Sequence, residues 1–152
     1  MEIKLQPVGT VKTSRKSPVD DQWGSIISEI ELAEHIPSKA FERITDFSHL
    51  EIIYFFDQVN VKDLVFCARP RGNPNYPPMG IFAQRKKDRP NPIGLCTVEL
   101  LERTGRTIKV RYLDALDGTP VLDIKPVFKE FQPRSGVLQP AWVADLMKKY
   151  WD

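Results

Sequence analysis

The chain has 152 residues, 41% hydrophobic and 28% charged, which suits one domain with a full core and excludes a disordered chain. Twenty-two basic against twenty acidic residues leave +2, too little for bulk charge alone to mark a nucleic-acid binder. Two cysteines 29 residues apart, two unrelated histidines and no long apolar run argue against a disulfide framework, a His-rich zinc site, a secretory signal or a membrane helix, and place the chain in a reducing cytoplasm.

The elements read mostly as strands. Ile3–Lys12 and Ser25–Leu32 mix apolar and polar residues at roughly period two. Ser38–Thr45 follows Pro37 and predicts a helix with Phe41 and Ile44 on one face. Leu50–Phe56 is nearly all apolar or aromatic and reads as a buried central strand. Leu64–Ala68, Gly80–Ala83, Ile93–Leu101, Thr107–Ala115 and Val121–Ile124 follow as strands, with Thr104-Gly105 as a hairpin turn. Alternation in Thr107–Ala115 puts Ile108, Val110, Tyr112 and, if it continues, Asp114 on one face and Lys109, Arg111 and Leu113 on the other. Pro140 opens a helix, Ala141–Tyr150, with Trp142, Leu146 and Tyr150 one turn apart and Lys148 and Lys149 suiting its C-terminal dipole. That amphipathic helix should pack on the barrel or on a partner chain. Many short strands with irregular turns predict a mainly β fold: a single-sheeted closed β-barrel with a few short helices and this C-terminal helix. Residues 1–152 read as one domain without a linker.

Proline and charge are uneven. Six of the thirteen prolines fall in Arg69–Gly94, together with Arg69, Arg71, Arg85, Lys86, Lys87 and Arg89 against the single acid Asp88. The segment is +5, which leaves −3 for the rest of the chain. Proline fixes φ and withholds a donor, so the region reads as stiff loop. Pre-ordered arginines suit anionic groups, although a solvated loop kept out of the sheet has the same composition.

Several chemistries have no motif here: no GxGxxG, Walker lysine, HExxH or GxSxG occurs. Ser48 and His49 are adjacent, so on a strand they face opposite ways and make no triad. Cys67 and Cys96 read as small core residues. No metal site is expected.

Three stretches hold more turn chemistry and charge than packing needs: Asp46-Phe47-Ser48-His49-Leu50 running into Phe56-Asp57-Gln58; Gly80-Ile81-Phe82-Ala83-Gln84-Arg85 with Arg89-Pro90-Asn91-Pro92-Ile93-Gly94-Leu95; and Leu113 to Pro126. These DFSHL, FAxR, RPNPIG and DxxDGTPVLDIKP patterns, in this order from about Val8 to Pro126, resemble the TsaA/TrmO-like family of β-barrel methyltransferases. The resemblance implies a homodimeric barrel that binds S-adenosylmethionine. It implies methylation of the exocyclic nitrogen of threonylcarbamoyladenosine, beside the tRNA anticodon. It also places the family's cofactor contacts at Gln22, Asp57, Gln58, Arg85, Gly94, Leu95, Asp114, Ala115, Leu116 and Asp117. Many members carry His-Gln where this chain has Asp57-Gln58, and Pro-Arg-Gln where it has Asp20-Asp21-Gln22. The family's longer C-terminal extension has no counterpart; the chain closes with the Trp142–Trp151 helix.

Physical roles follow for these residues. Arg85 suits the cofactor carboxylate, where a guanidinium fork is favoured. Asp114 or Asp117 suits ribose hydroxyls or the ammonium, or simply the Asp-Gly turn. Gly94 and Leu95 offer backbone groups and an apolar wall, or plain strand packing. A carbamoylated nitrogen is a weak nucleophile and needs an acceptor for its N–H. Asp123 is the carboxylate for that task, with Lys125 on the same strand face to set its charge state; a structural ion pair is the alternative. Arg69, Arg71, Lys86, Lys87 and Arg89 suit RNA phosphates or splayed bases, with Tyr76 as a stacking face. Two other readings stay open. One is methylation of a different acceptor, suggested by Asp20 and Asp21. The other is a non-catalytic RNA-binding barrel.

Overall fold

Alternating apolar residues in six strands close one antiparallel barrel. The computed structural model describes residues 1–152 and places β1 at Gly9–Lys12, β2 at Ile27–Leu32, β3 at His49–Phe55, β4 at Cys67–Ala68, β5 at Met79–Gly80, β6 at Ile93–Thr104, β7 at Thr107–Arg111 and β8 at Pro120–Pro126. The barrel order is β1-β2-β7-β6-β3-β8, and β8 returns to β1. Strands β4 and β5 form a separate two-stranded ribbon. Closure leaves no open edge to template aggregation. Val11, Ile30, Leu50, Ile52, Val98, Ile108, Val110 and Val121 are all fully buried, and they fill the lumen from every wall strand. No helix is long and apolar enough to cross a membrane.

The structure sharpens several sequence expectations. Only Gly9–Lys12 of the first predicted strand joins the barrel; residues 1–7 are exposed. The predicted helix Ser38–Thr45 is instead two 3-10 turns, Ser38–Phe41 and Ile44–Asp46, because Arg43 takes a left-handed φ of 59° between them. Phe41 still reaches the core. Of predicted strand Gly80–Ala83, only Gly80 is extended, and Ile81–Ala83 coils into a 3-10 turn. The β6–β7 turn is Gly105-Arg106, one residue later than expected, with Gly105 at φ +59°. Cys96 is buried as expected, whereas Cys67 is exposed on the outlying ribbon.

The most consequential difference follows β7. Tyr112 has φ +69°, so the strand ends there and the two-residue alternation breaks. Tyr112 is then exposed and Leu113 fully buried, the reverse of the predicted faces. The same twist delivers Asp114 beside the end of β3.

Strand β3 explains its own composition. Leu50, Ile52 and Tyr54 point inward, while Ile53 and Phe55 face out. Ile53 lies opposite Leu95, and Phe55 opposite Ile93, so the outer face here is apolar too. Predicted helix Ala141–Tyr150 is an α-helix, α1, over Ala141–Leu146, followed by turns to Tyr150. It packs on the proline-rich loop of its own chain. Tyr76 donates to Asp145 at 2.6 Å, and its ring lies 5.8 Å from Trp142.

Candidate active site

The site is built where β3 ends and β6 begins. Tyr54 faces Gly94 across the β3–β6 pair, and a Cβ on Gly94 would stand 2.4 Å from the tyrosine ring. Glycine is therefore what lets the ring cross β6. The Tyr54 hydroxyl donates to Asp114 Oδ1 at 2.6 Å, and Tyr150 donates to Asp114 Oδ2 at 2.5 Å. Cys96, next but one along β6, donates its thiol to the Tyr112 carbonyl at 2.8 Å. Burial first, then the charge of Asp114, pushes the Tyr54, Tyr150 and Cys96 protonation constants well up. All three remain protonated at neutral pH, so Asp114 is the one anion in the cluster, held by two donors.

Arg85 stands over the outside of β6, donating to the Leu95 carbonyl at 2.6 Å. Leu95 lies between Gly94 and Cys96 on β6, so this guanidinium meets the strand at the stretch whose other face bears the tyrosine–aspartate cluster. Asp57 and Gln58 are exposed just past β3, at the same end of the barrel. Asp117 does different work: its carboxylate accepts from the Thr13 amide at 3.0 Å and ties the β7–β8 connection to the chain after β1. Ala115 is buried, and Leu116 accepts from Thr119 to close the turn. Gln22, with φ 66°, lies beside the C-terminal segment and donates its amide to the Lys149 carbonyl.

Asp123 and Lys125 form an ion pair of 2.6 Å on the outside of β8. Asp123 lies opposite Ile53, and Ile53 opposite Leu95, so these three form one row across the outer face. The site residues thus divide into two groups. Asp114, Tyr54, Gly94 and Cys96 sit at the barrel mouth; Arg85, Leu95, Asp123 and Lys125 lie on the wall outside it.

Most cations of the basic segment are internally engaged. Arg69 donates to the Tyr76 carbonyl and Arg89 to the Gln84 carbonyl, so both shape the loop. Arg71 is paired with Asp21 at 2.8 Å, which accounts for part of the acidic Asp20-Asp21 run. Lys87 pairs with Asp88 at 3.1 Å. Lys86 makes no ion pair, and neither do Lys148 and Lys149. Those two border a groove of about 300 Å³ between Arg71, Tyr76 and Asp145. The sequence reading missed Tyr54 and Tyr150 at the site. A tyrosine opposite the glycine of RPNPIG was the available signal for Tyr54; Tyr150 had none.

Fold and site together define a closed antiparallel barrel with a clamped carboxylate at its mouth and a basic, apolar outer wall. Residues 10–132 match the model of the tRNA-methyltransferase O N-terminal domain, and the chain belongs to that family. It is 41% identical over 137 residues to a probable S-adenosyl-L-methionine-binding protein of Methanothermobacter thermautotrophicus, covering 86% of this chain and 93% of that one. It is 38% identical over 134 residues to the tRNA (adenine(37)-N6)-methyltransferase of Escherichia coli, covering 82% and 57% of the two chains. A crystal structure of TrmO superposes with a TM-score of 0.69 at 27% identity, covering 93% of this chain and 66% of that one. Relative lengths differ: the chain spans 34% of a similar Archaeoglobus fulgidus protein, also named a probable S-adenosyl-L-methionine-binding protein.

Proposed function

We propose that this chain is an S-adenosylmethionine-dependent methyltransferase acting on N6 of the adenine beside the tRNA anticodon, with threonylcarbamoyladenosine as acceptor. The observation that carries the reading is a carboxylate clamped by two tyrosines at the barrel mouth, with a guanidinium and an apolar wall on the adjoining stretch of β6. The cofactor is an amino acid joined to a nucleoside, with an ammonium, a carboxylate and an apolar base, and the residues fit each part. Arg85 would hold the carboxylate. Asp114 would accept from the ammonium or the ribose. Leu95 and the backbone at Gly94 would wall the adenine, with Gln22, Asp57, Gln58 and the Ala115–Asp117 turn around it. When bound, the cofactor supplies an electrophilic methyl group on a sulfonium.

The chain's own task is to position the acceptor nitrogen in line and to receive its proton. Asp123 is suited to accept from the N–H, and its ion pair with Lys125 fixes it on the outer face of β8. Lys125 is correspondingly held above its usual range, first by the hydrogen bond to Asp123. Lys86 and the exposed rim of the proline-rich loop would meet RNA phosphates, together with Arg69, Arg71, Lys87 and Arg89 where they reach solvent. That so many of these cations are already paired weighs against a barrel that only binds RNA by charge. Pairing of Arg71 with Asp21 favours one second reading: the same transfer to a different acceptor.

Calorimetric titration with S-adenosylmethionine, followed by methylation of threonylcarbamoylated tRNA, tests the proposal. Saturable binding is expected; Arg85→Ala should weaken it at least about tenfold, since a charge-assisted hydrogen bond is lost. Asp123→Asn should bind normally and transfer slowly. No binding at millimolar cofactor would refute the assignment. Binding without tRNA methylation would select the second reading.

The apolar outer face where β3 pairs with β6, beside the proposed cofactor wall, supports a homodimer in which a second copy covers the exposed pair Phe55 and Ile93. Light scattering at micromolar concentration should give twice the chain mass; a monomer mass would reject it. A cytoplasmic location and a single working unit of residues 1–152 belong to the same proposal.

A further inference from the structure

Tyr150 lies 18 positions beyond the last residue of the family match, yet its hydroxyl reaches the carboxylate at the centre of the site. What brings it there is a docked strap, Ala141–Trp151. The Gln22 amide donates to the Lys149 carbonyl at 3.0 Å and the Trp23 amide to the Tyr150 carbonyl at 2.8 Å. Tyr76 holds the helical part through Asp145, and the Trp151 ring meets Tyr112 edge-on at 5.8 Å. Gly24 completes the seat. A Cβ there would stand 1.8 Å from the Trp151 carbonyl oxygen, a backbone atom that cannot swing aside. The glycine after Gln22-Trp23 is therefore accounted for by the strap.

Asp114 sits in irregular chain two residues after the left-handed Tyr112, where a carboxylate can rotate about its side-chain bonds. Tyr54 alone fixes one oxygen and leaves the carboxylate plane free to turn about it. A second donor on the second oxygen, from an element outside the barrel, fixes the plane. The carboxylate offers about four lone-pair positions, so two phenols leave acceptor capacity for a ligand. Burial and the charge of Asp114 keep the Tyr150 phenol protonated, hence a donor, throughout the working pH range.

We propose that Tyr150 is a positioning residue for cofactor binding: carried by the C-terminal strap, it clamps Asp114 jointly with Tyr54 in the orientation that receives the cofactor's ammonium or ribose. The proposal rests on the reading that Asp114 contacts S-adenosylmethionine. It makes the strap a wall of the site and not an appendage of the barrel.

The test compares the full chain with Tyr150→Phe, Gly24→Ala and Asp114→Asn, each by calorimetric titration with S-adenosylmethionine and by steady-state methylation of tRNA. Tyr150→Phe removes one oxygen and should weaken cofactor binding on the order of tenfold, the scale of a lost hydrogen bond to a charged group. The loss should appear in the KM for cofactor, with the KM for tRNA within about twofold of the parent, because the strap acts through Asp114. Gly24→Ala should shift cofactor affinity in the same direction by unseating the strap. Asp114→Asn should weaken binding at least as much as Tyr150→Phe. Parental cofactor affinity in Tyr150→Phe, beside weakened binding in Asp114→Asn, overturns the positioning role and leaves the site reading intact. Lower thermal stability with unchanged affinity overturns it as well, since that is what a merely structural contact gives. If Asp114→Asn also binds normally, Asp114 is not a cofactor contact, and both the site reading and this inference fail. Should Gly24→Ala not fold, Tyr150→Phe still decides.

Discussion

Gly94→Ala should cost the folded chain about 3 kcal/mol and take cofactor affinity with it. The added methyl would stand 2.4 Å from two atoms of the Tyr54 ring. That ring has nowhere cheap to go: Tyr54 is 1% exposed, packs edge-on against Phe56 at 5.2 Å, and donates to Asp114. Relief requires either β6 to move away from β3, which strains the barrel wall, or the ring to leave its partner. The second route loses a hydrogen bond to a charged group and releases one side of the carboxylate clamp. For a chain of this length the loss corresponds to a fall in Tm of roughly 6–12 °C. Thermal unfolding and a calorimetric titration on the same variant check both halves. Unchanged values in both would mean that the Tyr54 ring moves freely, and the clamp would then have no rigid member.

Stability should also fall steeply in alkali. Cys96 and Tyr54 are both buried, and each has a proton affinity raised above its ordinary value, near 9 for the thiol and 10 for the phenol. Burial is the largest cause in each case, followed by the negative charge of Asp114. Above those ordinary values the unfolded chain releases the protons and the folded chain keeps them. The unfolded state then binds fewer protons, so stability falls with rising pH. The contribution is fully present below about pH 9 and is lost progressively above it. Each group adds a slope of about 1.4 kcal/mol per pH unit beyond its unfolded value, so by pH 11 the two together cost about 4 kcal/mol. Urea unfolding at pH 8, 10 and 11 measures this. The double variant Cys96→Ala, Tyr54→Phe should lessen the slope in this range, leaving the part due to Tyr150, which is raised by the same causes. An equal slope in that variant would assign the alkaline loss to other groups.

Both predictions concern residues whose roles were only partly legible in the sequence. Gly94 stood out within RPNPIG, but as a backbone contact for the cofactor; its space requirement depends on Tyr54, forty residues earlier and across a strand pair. Asp114 and Asp117 were equivalent as letters in one turn. The left-handed Tyr112 separates them, sending Asp114 to the tyrosines and leaving Asp117 to bind the Thr13 amide. The basic segment read as a set of free cations. Folding turns Arg69 and Arg89 inward to loop carbonyls and gives Arg71 an acidic partner fifty residues away.

What the sequence determined by itself was the six barrel strands and the closed mainly β class, because inward-facing residues in a barrel wall recur at period two. Leu50–Phe56, with apolar side chains at nearly every position, already implied a strand with something on both faces. Local motifs were legible for the same reason: a proline, an Asp-Gly turn or a run of prolines acts within a few residues of itself. Tertiary structure alone decided which charges remain free, which aspartate meets the tyrosines, and that the C-terminal segment folds back on its own barrel. The last two outcomes depend on contacts between residues far apart in the chain, such as Tyr150 and Tyr54 on Asp114, 36 and 60 positions away. Such contacts have no period to read. They form only when closure of the barrel brings the ends of β3, β6 and β7 to one mouth, and burial there makes a hydrogen bond to a carboxylate worth more than one to water.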